Sequence, residues 1–366
     1  MPILLVDSSG SNRAAGRCHG EAMRDAVASN VELLEAYFSA RGAGALELGS
    51  ATDTWMTYLS KSAPDFSDEM IGISEGSRIA MRSIVMLNVR HEIGYSLLAR
   101  QTQTLVEPPI DGCTSAGILP DAAEGEKTLL AQTLDGLSGL RGTVFAGRRR
   151  SSDGSTSLAL YEAGSAGPSA GLSGSGIGFV YNTLLTASDG RGRPSDPFRL
   201  RCKRILEATS FDSAIREIIH KDRNISINYL LGHMDGEVID IETSPATRNY
   251  LYPVNGIITH ANHFEPGASA VSEWERFVPD TLFRAKRLER HLRRRLGAID
   301  PGYILEGLKD HFSYPSSICL HPDEMRHNGR RASTLAAVIL DLKAGRLTAT
   351  DGPPCSAEPQ TFNLAN

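Results

Sequence analysis

The sequence predicts an α+β protein in which antiparallel sheets are covered by helices. Three observations carry this. The first hundred residues have helical periodicity, and a polar, proline-bearing stretch at 101–111 then breaks the texture. After Cys113 the chain turns into short apolar runs bounded by glycine, aspartate and serine, with further helices and a last hairpin before its end.

Taken in order, residues 21–41 place Met23, Ala26, Val27, Val31, Leu34, Tyr37 and Phe38 on one helix face. Residues 66–80 and 81–98 repeat that periodicity, and Pro108-Pro109 stops any helix ahead of the Gly112-Cys113 step. Strands are expected at 127–134, 157–162, 177–182, 225–232 and 237–243, the last two joined by an Asp235-Gly236 turn. Helices are expected at 211–220 and 278–296, and another begins at Asp300-Pro301, a cap residue followed by proline at the first helical position. Residues 334–342 and 346–350 form a closing hairpin across Ala344-Gly345. This pattern leaves the number of layers open.

The chain has 366 residues, 41% of them hydrophobic, enough for a sizeable core. Its 38 basic residues are scattered among 43 acidic ones for a net charge of -5, which suits a small-molecule partner and argues against nucleic acid. The apolar run at 1–10 is too short for a signal-peptide core or a membrane span, so a cytoplasmic location is expected. Cys18, Cys113, Cys202, Cys319 and Cys355 make an odd count without paired spacings, so free thiols are expected rather than a disulfide framework. There is no CxxC, and neither His260/His263 nor His321/His327 has metalloprotease spacing, so no metal site is expected.

Cys113 stands at the helix-to-strand junction in Asp111-Gly112-Cys113-Thr114-Ser115-Ala116. A glycine before a cysteine leaves the preceding carbonyl open to attack by the thiol. An amide-to-thioester shift opened by water would make Cys113 a new N-terminus, whose amine (unperturbed pKa about 7.7–8.0) can serve as base for its own thiol. Alone, the dipeptide is better read as a buried strand cysteine. Gly167-Pro168-Ser169-Ala170-Gly171 matches G-x-S-x-G but lacks the strand-to-helix context of a nucleophile elbow, and 174–178 reads as turns rather than a phosphate loop. The cationic run Arg284, Lys286, Arg287, Arg290 and Arg293 to Arg295 reads as a solvated helix face, with an anionic coenzyme A tail as the alternative.

Around Cys113 the sequence resembles the acyl-coenzyme A:6-aminopenicillanic acid acyltransferase (isopenicillin N acyltransferase, peptidase C45) family of N-terminal nucleophile hydrolases. The resemblance runs in order along nearly the whole chain. It takes in 15–20 as a Gly-x-x-His-Gly turn, 72–76, 84–90, Asp111 to Thr114, and Ala131-Gln132-Thr133-Leu134-Asp135 as a strand end. It continues through 162–164, 180–182, the Ser244-Pro245 turn, His260-Ala261-Asn262-His263, and 314–319 with 331–335.

The resemblance implies a four-layer αββα sandwich, two antiparallel sheets between helical layers. It implies autocatalytic cleavage between Gly112 and Cys113 into a helical segment 1–112 and a catalytic segment 113–366, which stay associated as one globular unit. It assigns Cys113 as nucleophile and base, Asp135 to orient the freed amine, Asn262 to the oxyanion and Arg331 to a carboxylate or the thiolate. Thr114, Ser115 and Ser244 would support processing or the pocket, and Arg330, beside Arg331, could exchange roles with it by one residue of register. The activity implied is cleavage of an N-acylated small molecule through a Cys113 thioester, with hydrolysis favoured over transfer to an acceptor amine. Acyl-coenzyme A-dependent transfer is the first alternative, with a coenzyme A thioester as acyl donor; no other cofactor is implied. An unprocessed binding protein of the same fold is the second. A homo-oligomer is compatible with all three readings. Leu134, Thr133, Arg330 and Leu172-Ser173 depart from the family pattern near the expected pocket, which points away from a penicillin substrate.

Overall fold

The computed structural model describes residues 2–100, 112–325 and 331–365. Strand β1 (Leu4–Gly10) precedes helices α1 (Asn12–Ala22), α2 (Arg24–Ala40), α3 (Ala45–Ser62), α4 (Pro64–Ser77), α5 (Met81–Asn88) and α6 (Arg90–Arg100). Strands β2 (Gly112–Ile118), β3 (Leu129–Leu137), β4 (Val144–Ser151), β5 (Thr156–Glu162), β6 (Ala170–Ser173) and β7 (Ile177–Thr183) come next, then helices α7 (Phe198–Glu207) and α8 (Phe211–Ile219). After β8 (Ile227–His233), β9 (Glu237–Thr243), β10 (Arg248–Leu251) and β11 (Ile257–His260) stand α9 (Thr281–Leu292) and α10 (Pro301–Leu308), and β12 (Ala332–Asp341), β13 (Arg346–Ala349) and β14 (Gln360–Asn363) close the chain.

Among the described residues the strands form two sheets. One runs β1-β4-β5-β6-β7-β8-β9-β10, the other β11-β2-β3-β12-β13-β14. The sheets face each other through β2 and β3 on one side and β7 and β8 on the other. Side-chain alternation shows which face is which. Ser115 donates to Asn182 Oδ1 at 2.7 Å and Gln132 donates to the Tyr181 carbonyl, both across the inter-sheet gap. Thr114, Ala116 and Ile118 therefore point the other way, where α9 and α10 cover the smaller sheet. Helices α7 and α8 cover the larger sheet through β6, β7 and β9. The result is the four-layer αββα sandwich.

The expected elements stand, with four differences. The 81–98 helix is broken at Val89, and the 278–296 helix ends at Leu292 in a short 3₁₀ turn. The opening run 1–10 forms β1, paired in parallel with β4 over Leu4↔Phe145 to Gly10↔Ser151, so the first segment is not wholly helical. Residues 15–20 are not a turn but part of α1, which packs directly on α4. The close approach depends on glycine: an ideal Cβ at Gly16 would lie 2.1 Å from the Glu69 carbonyl oxygen, and one at Gly72 would lie 2.1 Å from that of Arg13. No side chain fits there without moving backbone.

The motifs at 84–90 and 162–164 dock helices onto the larger sheet. Asn88 donates to the Gly164 carbonyl at 2.9 Å and accepts from the Ala166 N–H at 2.8 Å. Arg90 and Arg199 both pair with buried Glu162; against burial, which opposes ionisation, they hold its carboxyl well below the usual range. His19 accepts the Gly164 N–H at 2.9 Å, and burial lowers its pKa to about 4, so it stays neutral.

Candidate active site

Strands β2 and β3 pair in antiparallel register, with Gly112 opposite Asp135 and Cys113 opposite Leu134. Cys113 is the second residue of β2 and only 1% exposed. By alternation with Ser115 its thiol faces the inter-sheet space, whereas Asp135 lies on the helix-covered face at the end of β3. An ideal Cβ at Gly112 would sit 3.4 Å from Asp135 Oδ2. The carboxylate thus stands beside the 112–113 peptide. Thr334, opposite Asp135 on β12, donates to its Oδ1 at 2.6 Å and fixes the carboxylate from the other flank.

Asn262 closes the site from the end of β11. Its Oδ1 accepts the Cys113 N–H at 2.9 Å, and its Nδ2 donates to the Thr183 carbonyl at 2.9 Å. Its own N–H donates to Thr281 Oγ1 at 2.8 Å, which ties the turn to the start of α9. Two residues earlier, buried His260 lies 2.8 Å from Glu242 Oε1. Burial works against its protonation, yet Asp240 and Glu242 outweigh it and raise the pKa to about 9. His260 is a core cation with partners for both ring nitrogens, the Ala261 carbonyl and Glu242.

Arg284 contacts Cys113. It is 1% exposed, and its Nε donates to Asp280 Oδ2 at 2.8 Å. Its Nη1 donates to the Cys113 carbonyl at 2.6 Å and to Thr114 Oγ1 at 2.7 Å, and its Nη2 donates to Asn262 Oδ1 at 2.7 Å. One fork of fixed geometry therefore holds three groups of the site. Reading the run 284–295 as a uniformly solvated face hid this residue. The available signal was its position among Thr281, Ala285, Leu288 and Leu292, the buried stripe of α9. The rest of the run is largely committed: Lys286 and Arg293 face Glu289, Arg287 pairs with Asp310, and Arg295 faces Asp300.

Arg331, just before β12, is partly exposed and donates to the Glu324 carbonyl at 3.0 Å; Arg330 lies outside the described residues. Thr114 is buried and its N–H donates to Thr133 Oγ1 at 3.1 Å. Ser244 accepts the Thr247 N–H at 2.9 Å, which makes it a turn former between β9 and β10. Ser169 accepts from Arg199 at 2.8 Å and leads into strand β6 instead of a helix, so the G-x-S-x-G match is not an elbow.

A four-layer αββα sandwich with a buried cysteine at the start of an inner strand, ringed by an aspartate, an asparagine and an arginine, defines the class of protein. The family model for acyl-coenzyme A:6-aminopenicillanic acid acyl-transferase matches residues 143–354, more than half of the chain, and the chain belongs to that family. The acyl-coenzyme A:6-aminopenicillanic-acid-acyltransferase 40 kDa form of Emericella nidulans is 24% identical over 364 residues, 98% of this chain and 95% of its own. That alignment spans Cys113 and Asp135, which lie ahead of the family-model match. Among solved structures, a conjugated bile acid hydrolase variant from Clostridium perfringens is 11% identical with a TM-score of 0.45, covering 68% of this chain and 92% of its own. The N-acylethanolamine-hydrolyzing acid amidase ortholog of Caenorhabditis elegans is 11% identical with a TM-score of 0.46, covering 63% of this chain and 93% of its own. Among the described residues no helix is long and apolar enough to cross a membrane.

Proposed function

We propose that this chain is a self-processing cysteine enzyme that cleaves the amide bond of an N-acylated small molecule. The observation that carries the reading is the hydrogen bond from the Cys113 N–H to Asn262 Oδ1, with Arg284 on the same oxygen and on the Cys113 carbonyl. These contacts fix the residue's backbone on both sides of its Cα, and the Asp135 carboxylate stands beside Gly112.

In the processing step the Cys113 thiol attacks the Gly112 carbonyl carbon. The C–N bond breaks as the C–S bond forms, and the amide nitrogen takes the thiol proton. Water then opens the thioester, leaving a Gly112 carboxylate and a free Cys113 amine. That amine keeps Asn262 Oδ1 as acceptor and has Asp135 at its flank, so it is oriented to take the thiol proton in later turnovers. The thiolate then attacks the substrate amide carbon, and the C–N bond breaks as the C–S bond forms. The amine leaves with the proton held by the Cys113 amine, and water opens the thioester to release the acid. Asn262 Nδ2 is engaged with Thr183 before cleavage, so an oxyanion role for it requires that bond to shift. The names of the family and of the Emericella nidulans relative favour a second reading, in which an acceptor amine replaces water and a coenzyme A thioester serves as donor.

The test is the mass of the purified chain over time, followed by assay on N-acyl amides with and without acceptor amines. A fragment beginning at Cys113, absent in Cys113→Ala, and amide cleavage dependent on it are expected. A single full-length species with no activity would sink the proposal in favour of a non-catalytic binding protein.

A further inference from the structure

Four side chains with metal-ligating atoms converge outside the Cys113 site. His311 follows α10, Cys319 and His321 lie eight and ten residues further along the same loop, and Cys355 lies in the turn between β13 and β14. One ligand atom from each lies within 4.8 Å of all the others. His321 Nε2 is 3.1 Å from His311 Nε2, 3.5 Å from Cys319 Sγ and 3.4 Å from Cys355 Sγ. With zinc–nitrogen bonds of about 2.0–2.1 Å and zinc–sulfur bonds of about 2.3 Å, a tetrahedron has N···N edges of about 3.3 Å and N···S edges of about 3.6 Å. The observed edges are those of a tetrahedral S₂N₂ cage before slight expansion around an ion.

We propose that His311, Cys319, His321 and Cys355 bind one zinc ion in a closed structural site. Two thiolates and two imidazoles are the donor set of zinc, and four protein ligands leave no open position for catalysis. The sequence concealed the site because its cysteines are 36 residues apart, one in the loop after α10 and the other beyond β13, so there is no CxxC to read. The loop is held independently: the Cys319 N–H donates to the Asp310 carbonyl at 3.1 Å, and the His321 N–H donates to the Pro315 carbonyl at 3.1 Å. The ion would join this loop to the β13–β14 turn. Between Cys319 and His321, the Leu320 N–H donates at 2.9 Å to Thr334 Oγ1, the hydroxyl that holds Asp135. Zinc would thus fix the outer support of the Asp135 carboxylate.

The test uses the untagged full-length chain purified under reducing conditions without chelator. About one zinc per chain is expected, and replacement by Co²⁺ should give thiolate-to-cobalt charge-transfer absorption. Cys355→Ser and His321→Ala should each lose the metal and the absorption, while Cys18→Ser, at an exposed cysteine remote from the cluster in sequence, should keep both. Cys355 is exposed, so its variant is expected to fold, and circular dichroism checks that it does. Wild-type chain with no bound zinc and no cobalt–thiolate band would overturn the proposal. So would a Cys319–Cys355 disulfide that persists in reductant, read as two thiols missing on denaturation.

Discussion

Replacing Arg284 by methionine keeps much of the side-chain volume and removes the charge. The guanidinium makes four hydrogen bonds, to Asp280, the Cys113 carbonyl, Thr114 and Asn262, in a site where Arg284 is 1% exposed. Its loss leaves the Asp280 carboxylate without this partner, and breaking a buried pair from one side costs about 3–5 kcal/mol. A chain of this length has an unfolding entropy near Tm of about 0.8 kcal/mol/K, so a loss of about 4 kcal/mol lowers Tm by about 5 °C. Asp280→Asn combined with Arg284→Met removes the stranded charge and should recover part of that loss. Processing should respond differently, because Asn262 Oδ1 and the Cys113 carbonyl lose their anchor in both variants; loosening so small a geometry costs about 10²-fold. The assay is a time course of intact mass at a temperature well below both melting points, with Tm from differential scanning calorimetry. Equal self-cleavage rates for the wild type and both variants would refute the positioning role. A double variant no more stable than Arg284→Met would refute the buried-charge account.

Cys113→Ala is expected to remain a single full-length species and to show no amidase activity, by mass spectrometry and product analysis. Thr334→Val removes the hydroxyl on Asp135 Oδ1 and should slow processing while leaving the fold intact by circular dichroism, since one hydrogen bond to a carboxylate contributes about 1.5–3 kcal/mol. Gly72→Ala pushes a methyl group into the Arg13 carbonyl across the α1–α4 contact and should destabilise by about 1–3 kcal/mol, measured in urea. His260 has its pKa raised to about 9 by Asp240 and Glu242 despite burial, so its contribution is full below its ordinary value of about 6.5 and is lost as pH rises through 9. Asp240 is itself raised to about 6 by burial, so its titration is complete before most of that loss. Stability should therefore fall between pH 6.5 and 9, and a His260→Gln variant with the same slope would remove His260 as the cause.

Most of the fold was legible because its elements carry local signals. Asp235-Gly236 joins β8 to β9, and Asp300 caps α10 by accepting the Tyr303 N–H at 2.9 Å. β1 was missed because a parallel edge strand takes its partner, β4, from more than a hundred residues away. Cys113, Asp135 and Asn262 were singled out through their order along the chain, and the fold brings Asp135 and Asn262 beside the 112–113 peptide. Arg284 was missed for a different reason. Its neighbours in sequence are solvated cations, and only the stripe of α9 on which it lies distinguishes it. The Cys319–Cys355 convergence had no local signal at all, because loops bring those residues together.

The pairing of β1 with β4 crosses the Gly112-Cys113 junction. In an intact chain that strand is tethered, and its return to the sheet after a thermal excursion is a one-molecule event. Once the peptide is cut, the same return becomes an encounter between two molecules, weaker at every dilution. Cleavage would leave the native packing untouched and yet remove the route by which it was reached. A matured protein of this kind would owe its lifetime to the height of its unfolding barrier, and would not recover once that barrier had been crossed.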